Sequence, residues 1–453
     1  MMFKSRFRHE EYLASKGWTP AKPDKEYLIS FLDLDVPKKC TEDEFKQIVA
    51  LCAARSSVGL WDDDYTKDLP GLSRAKNLKA VAFDLNFAEK TFKIAYPKEI
   101  FELGNMSNIL SSVVGSLWNI EGVNGLRCLD IRFPEDLIRS FPGPQFGIYG
   151  TREKVLQEEG PLFVTVPLPQ IGLSAREEAG IAKSIFTCCR GEYHGIQDPE
   201  NLTDTSFNKF EERCKYILNI KEDIEEKISK KKIYIPNISH SSLEKMIERS
   251  DMIKSYGGEW LMIDTVTTGF SALHSLRDMN PGLIIHACRG MNSSFANEFG
   301  QGSYENGEVK SFSISAVLNA KIHRLLGADS FDGGNVSNQK ESKFVRDALQ
   351  LDTTPESAVT LGQNWFGMKP VWYMVSRLAH PGEVLGALSH FGGDILLQSS
   401  EGVIGHPWGL EAGAQAMLEA KEVALGRGSL EEWVASNPSS ALSKAVAHWK
   451  LIP

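Results

Sequence analysis

Gly191-Glu192-Tyr193-His194-Gly195-Ile196-Gln197-Asp198-Pro199-Glu200-Asn201-Leu202 is the stretch on which the reading of this chain turns. A turn leads into a short apolar strand, His194–Asp198, and the strand ends in a knot of polar side chains. Asp198 and Glu200 offer carboxylate oxygens to a hard cation, and Asp264 or Asp332 could add another. Gln197 brings only a neutral amide and Pro199 brings no side-chain oxygen at all. Capping and hydrogen bonding at a strand end is the competing use for the two acids. Magnesium binding is therefore expected to be weak or absent, and no other cofactor is implied.

Working outward, short apolar segments alternate with amphipathic ones from about residue 155 onward. The strands are read at Leu162–Val166, His194–Asp198, Ile233–Asn237, Leu261–Asp264, Leu283–Cys288, Ala328–Asp332, Val371–Ser376 and Asp394–Gln398. Helices fall between them at Ser174–Phe186, Phe207–Ser229, Ser241–Ser255, Ser313–Leu326 and Pro381–Phe391. Eight such units without a Gly-rich phosphate fingerprint predict a closed (β/α)8 TIM barrel, whose site lies at the C-terminal strand ends. Gln197, Asn237, Asp264, Arg289, Asp332, Ser376 and Ser400 stand there. The first 145 residues read as an α+β sandwich of ferredoxin-like type. Its strands are Tyr27–Leu34, Lys79–Leu85, Thr91–Ala95 and Gly125–Phe133, with helices at Thr41–Ala53 and around Ile109–Trp118. The expected division is residues 1–145 and 146–453, the second part ending in a helical extension.

Composition permits this and excludes other classes. A chain of 453 residues with 42% hydrophobic and 24% charged residues is an ordinary globular one. A net charge of −9 argues against a nucleic-acid or anionic-membrane surface. No apolar run reaches the roughly 20 residues that span a bilayer. The opening Met1–His9 is basic without an apolar core, unlike a secretory signal. The seven cysteines are scattered and show no zinc spacing, which fits reduced thiols and a cytoplasmic setting.

Six motifs in order resemble the large-subunit family of ribulose bisphosphate carboxylase (RuBisCO). They are Ala53-Ala54-Arg55-Ser56-Ser57-Val58-Gly59-Leu60-Trp61, Phe141-Pro142-Gly143-Pro144-Gln145-Phe146-Gly147-Ile148, Ile171-Gly172-Leu173-Ser174, Thr268-Gly269-Phe270-Ser271-Ala272, His286-Ala287-Cys288-Arg289-Gly290-Met291 and Gly405-His406-Pro407-Trp408-Gly409. The resemblance implies the barrel and its amino domain. It also implies a homodimer or an oligomer of dimers, in which the segment carrying Trp61 completes a partner's site for a small-molecule substrate.

It further implies which chemistry is missing. The strand ending at Gln197 resembles one that carries a carbamylated lysine, and Gln197 and Pro199 stand where two magnesium ligands would be. Leu168-Pro169-Gln170 replaces a lysine pair, Cys288, Asn292 and Asp332 replace histidines, and Arg55 and Ser116 replace a glutamate and an asparagine. A loop lysine falls on Gln339, or on Lys340 with a shift of one. Ser376-Arg377-Leu378 and Ser400-Glu401 put side chains where backbone amides would face phosphates. Arg289, Ser376 and Trp61 are retained.

On these grounds the chain is expected to belong to the non-carboxylating branch, form IV. It would be a lyase or isomerase that enolises, isomerises or decarboxylates a small sugar-like or carbonyl acid, and would not be a ribulose bisphosphate carboxylase. The alternative is a catalytically silent homologue that binds a metabolite or partner protein. Asp332, His286 and Cys288 are the candidate catalytic groups, Cys288 as a nucleophile or base of lowered pKa. Arg289, Ser376, Arg377, Ser400, Glu401, Trp61 and Asn201 are the candidate substrate contacts, for a neutral or singly anionic ligand. His274 and His323 are read as surface or interface residues.

Overall fold

The computed structural model describes residues 9–59, 70–118, 120, 122–279, 281–291, 312–335, 339–426 and 428–452, with backbone only at 339–341. The described residues group into two compact units. The first takes in residues from Met1–Phe141, Asn292–Ile322 and Leu351–Met368, and the second those from Pro142–Met291, His323–Gln350 and Lys369–Pro453.

In the first unit a five-stranded sheet is built from β1 (Tyr27–Asp35), β2 (Val81–Asn86), β3 (Thr91–Pro97) and β4 (Gly125–Arg132), with a late strand β10 (Phe312–Ile314) on its edge. The order is β10-β4-β1-β3-β2; β10 runs parallel to β4 and the other pairs are antiparallel. Helix Glu42–Arg55 opens with a capping box, in which Thr41 and Glu44 satisfy each other's backbone N–H. The sequence reading runs Ser313 into a helix; instead Phe312–Ile314 pairs with Leu126–Cys128 and the helix starts at Ala316. Three residues are too few to show a strand's alternation. Behind this edge, Lys321 Nζ lies 2.7 Å from Asp130 Oδ2 with both side chains fully buried.

The second unit holds eight parallel strands: β5 (Leu162–Thr165), β6 (Gly195–Gln197), β7 (Ile233–Ile235), β8 (Trp260–Asp264), β9 (Ile284–Cys288), β11 (Ser330–Gly334), β14 (Trp372–Val375) and β15 (Ile395–Gln398). They neighbour one another in chain order. The ring closes where Asn237 bridges Met262: Met262 N donates to Pro236 O at 2.8 Å and Ile238 N to Met262 O at 3.0 Å. β12 (Thr353–Thr354) and β13 (Gln363–Asn364) form a small separate hairpin. Almost every barrel-strand residue is buried, as expected when a parallel sheet is covered on both faces and its strands read as apolar runs.

Side-chain alternation along a strand decides what faces the barrel axis. Leu162, Val164, Ile233, Ile235, Trp260, Met262, Ile284, Trp372, Met374 and Leu396 form one interior cluster. Continuing the same parity toward the C-terminal ends brings Gln197, Asp264, Cys288, Asp332 and Gln398 to the upper layer. Gly195 sits below Gln197 because β6 and β7 run very close there; a Cβ at Gly195 would collide with the carbonyl of Ile233, its register partner. Outside the barrel, helix Ala175–Thr187 begins with a capping box of Ser174 and Glu177.

Candidate active site at the barrel mouth

The C-terminal ends of the strands enclose a cavity of about 290 Å³. Leu168 and Gln170 reach it from the turn after β5, and Gln197, Asp198, Pro199, Glu200 and Asn201 from β6 and its loop. Asp332 comes from β11, Ser376 and Arg377 from the end of β14, and Ser400 and Glu401 from beyond β15. Five of the proposed substrate contacts thus line one cavity: Ser376, Arg377, Ser400, Glu401 and Asn201. Arg289, His286 and Cys288 are not on its wall, and Trp61 lies outside the described residues, as do Leu60 and Asn292.

Asp332 is held by two hydrogen bonds at the cavity wall. Its Oδ1 accepts the Ser376 hydroxyl at 2.7 Å and the Gly334 amide at 2.9 Å. Burial pushes its pKa up, and the charge of Arg289 and the hydrogen bond from Ser376 pull it partly back. Arg289 lies across Gly334, where any Cβ would strike its Nη1; Gly334 also takes φ +88°, a conformation that L side chains seldom adopt. The strand-end glycine therefore holds the guanidinium beside Asp332. Arg377 has φ +62°, and its N–H donates to Gln398 Oε1 at 2.7 Å, which leaves its side chain exposed at the rim.

Asp198 is committed elsewhere. Its Oδ2 accepts from Arg213 Nε at 3.1 Å and from the Asn237 amide at 3.0 Å, and carboxylate and guanidinium are both fully buried. Arg213 lies on helix Phe210–Ile228 and also holds Asn208 and Thr203. The acid thus locks the helix after β6 to the strand through a buried ion pair. Glu200 is exposed at the mouth, and its backbone carbonyl accepts from Asn237 Nδ2 at 2.8 Å.

His286 and Cys288 face inward from β9. His286 is fully buried, with Nδ1 3.0 Å from Ser330 Oγ, and burial holds its pKa down at about 3. It is neutral at ordinary pH and a poor proton acceptor. The Cys288 thiol is pushed well up by burial and by the nearby Glu200 and Asp332 carboxylates. The expectation of a low-pKa thiolate is therefore corrected: three acids surround this thiol, and its neighbour Arg289 does not offset them. His323 is also corrected, being buried with Nε2 2.7 Å from Thr265 Oγ1. His274 is half-buried and lies 3.4 Å from Asp278. His406 holds the turn after β15 as foreseen, with Nε2 3.0 Å from the Ala441 carbonyl. Sequence reasoning missed Gln398, which fixes Arg377, and Arg213, fifteen positions beyond its partner.

A closed eight-stranded parallel barrel with a polar mouth and an added unit built on a mixed, mostly antiparallel sheet defines the class of (β/α)8 barrel proteins with an added α+β domain. The chain belongs to the RuBisCO large-chain family. Residues 147–449 match the family description "Ribulose bisphosphate carboxylase large chain, catalytic domain" and residues 22–137 match its N-terminal domain. Among its relatives is the ribulose bisphosphate carboxylase of Methanocaldococcus jannaschii, 34% identical over 412 residues, or 88% of this chain and 92% of the relative. That of Methanosarcina barkeri is 33% identical, covering 89% and 92%. Two solved structures are similar: the dimeric archaeal Rubisco of Hyperthermus butylicus (TM-score 0.85, 27% identity, 98% of this chain and 100% of that one) and the octameric Rubisco of Pyrococcus horikoshii (0.82, 29%, 98% and 99%).

These relatives overturn part of the sequence reading. Placement in the non-carboxylating branch, the lyase or isomerase assignment, the exclusion of carboxylase activity and the silent-homologue alternative all rested on a few altered side chains. The named relatives are described as carboxylases and match this chain over nine-tenths or more of their length, which points to carboxylase function. Among the described residues, no helix is long and apolar enough to cross a membrane.

Proposed function

We propose that the chain is a carboxylase-class enzyme acting on ribulose bisphosphate or a close ketose phosphate at the barrel mouth. Carbon dioxide is an electrophile, so the ketose must first lose a proton from the carbon next to its carbonyl to become a nucleophilic enediolate. Asp332 is the base in this reading, and what supports it is its buried carboxylate, oriented by Ser376 and set beside Arg289. The proton passes to Asp332, and the electron pair of the broken C–H bond becomes an enediolate whose charge faces Arg289. The nucleophilic carbon then forms the new bond to carbon dioxide, leaving a carboxylate. Arg377, exposed at the rim, suits a phosphate oxygen.

A carbamate-held magnesium does not fit the residues present. The Gln197 amide does not form a carbamate, and its Nε2 points to Met262 Sδ at 3.3 Å. Pro199 has no ligand atom, and Asp198 is engaged with Arg213. The relatives described as dimeric and octameric also support assembly as a homodimer or a multiple of one.

The test supplies ribulose bisphosphate, labelled bicarbonate and Mg²⁺, and follows acid-stable label together with solvent-deuterium uptake at the carbon next to the carbonyl. Label incorporation supports the reading. Deuterium uptake without label overturns the carboxylation step, and absence of both overturns the whole. A monomer by light scattering at micromolar concentration would overturn the assembly.

A further inference from the structure

We infer that Glu200, Cys288 and Asp332 form a binding site for a thiophilic divalent cation of the zinc type. One ligand atom from each lies within 4.8 Å of the other two. A tetrahedral zinc with one sulfur and two oxygen ligands sets them about 3.4–3.6 Å apart, so contraction by about 1 Å completes the set. Glu200 is exposed and has room to make that movement, whereas Cys288 and Asp332 are buried on the walls of adjacent strands.

Two further atoms point to a ligand here. Gln197 is only 4% exposed, lines the same cavity as Glu200 and Asp332, and leaves Oε1 with no partner among the described residues. Asp264 is the register partner of Cys288 on the next strand, 6% exposed, and its Oδ1 is likewise unpartnered. Buried acceptors without donors are costly, and a cation among them would relieve that cost. Two carboxylates and a thiol, with an amide oxygen and a third acid beside them, offer several acceptors, and Arg289 and Arg377 are the cationic side chains near Asp332. Sulfur in the set selects against magnesium, which takes oxygen ligands. The site draws on Cys288 and Asp332, and so is distinct from a carbamate centre. An ion here and proton removal by Asp332 are alternative uses of one carboxylate.

The test is titration of the full-length protein with Co²⁺, a spectroscopic stand-in for zinc. Binding at this site gives a thiolate-to-cobalt charge-transfer band in the near ultraviolet and tetrahedral d–d bands in the visible. Zn²⁺ should displace both, and excess Mg²⁺ should displace neither. Cys288→Ser should abolish the charge-transfer band, Glu200→Gln should weaken binding at least tenfold, and Cys189→Ser, which alters a partly exposed thiol elsewhere, should leave both intact. Circular dichroism of each variant separates lost ligation from lost folding, and Glu200→Gln, at an exposed position, tests the site even if Cys288→Ser misfolds. No band, or a band that survives Cys288→Ser, overturns the inference. Because the readout is spectroscopic, it stands or falls independently of any carboxylase activity.

Discussion

The Arg213 guanidinium and the Asp198 carboxylate meet at 3.0 Å in complete burial, fifteen residues apart in the chain. The pair ties the strand that ends at the cavity to the helix that follows it. Its value lies in being intact: a buried pair adds little over an apolar replacement, whereas breaking it strands a charge. Asp198→Asn should therefore cost about 3–5 kcal/mol of unfolding free energy, measured by urea denaturation. A loss under 1 kcal/mol would show that the pair is dispensable.

Ser376→Ala removes the hydroxyl that holds Asp332. Burial already raises the Asp332 pKa and Ser376 lowers it, so the variant's pKa should rise further. A base works only when deprotonated, so activity falls as pH drops through this pKa. The acid limb of the exchange-rate profile should move to higher pH in the variant, while Asp332→Asn should lose about 10²–10⁴ in rate. An unmoved acid limb in Ser376→Ala removes Asp332 from the role.

Gly334→Ala should act through Arg289. The new Cβ collides with the guanidinium, and the backbone sits at φ +88°. A thermal melt should show a loss on the order of 1–3 kcal/mol from strain. Turnover should fall by more than this destabilisation accounts for. Wild-type turnover at unchanged stability would mean that Arg289 can move aside freely.

His286 should make stability depend on pH. Its folded pKa is held down at about 3, against an ordinary value near 6.5. Its contribution is thus fully present above pH 6.5, and is lost as pH falls from there toward 3, because the unfolded chain takes up the proton first. Between pH 6 and 4 the slope from this one residue is about 1.4 kcal/mol per pH unit. His286→Gln should flatten the urea-derived profile by that amount in that window. An identical slope in both proteins would show that the imidazole is protonated in the fold.

The eight barrel strands were legible because each is a short apolar run bounded by turns, and most ends fell within two residues of those observed. That five candidate substrate contacts line one cavity was legible for a related reason: once the barrel is read, its strand ends must converge. What escaped notice depends on partners distant in sequence. Nothing near Asp198 announces Arg213, and nothing near Cys288 announces that Glu200 approaches it from the loop after β6. β10 escaped because three residues borrow their pattern from the sheet they join. The functional reading failed differently. It gave great weight to Gln197, Pro199 and Leu168, where a similarity spread over some 400 residues carries more information.

Asn237 has a wider consequence. Its bridge to Met262 closes the ring, its amide donates to Asp198, and its side chain donates to the carbonyls of Pro199 and Glu200. The seam of the barrel and the loop that presents Glu200 are therefore one hydrogen-bonded unit. An open arc of strands, such as a folding intermediate or a half-barrel fragment, keeps Asn237 as the donor to that loop but lacks the bridge to Met262 that fixes it. Ligand affinity should consequently appear in a single cooperative step with closure, so that the mouth reports whether the whole ring is intact.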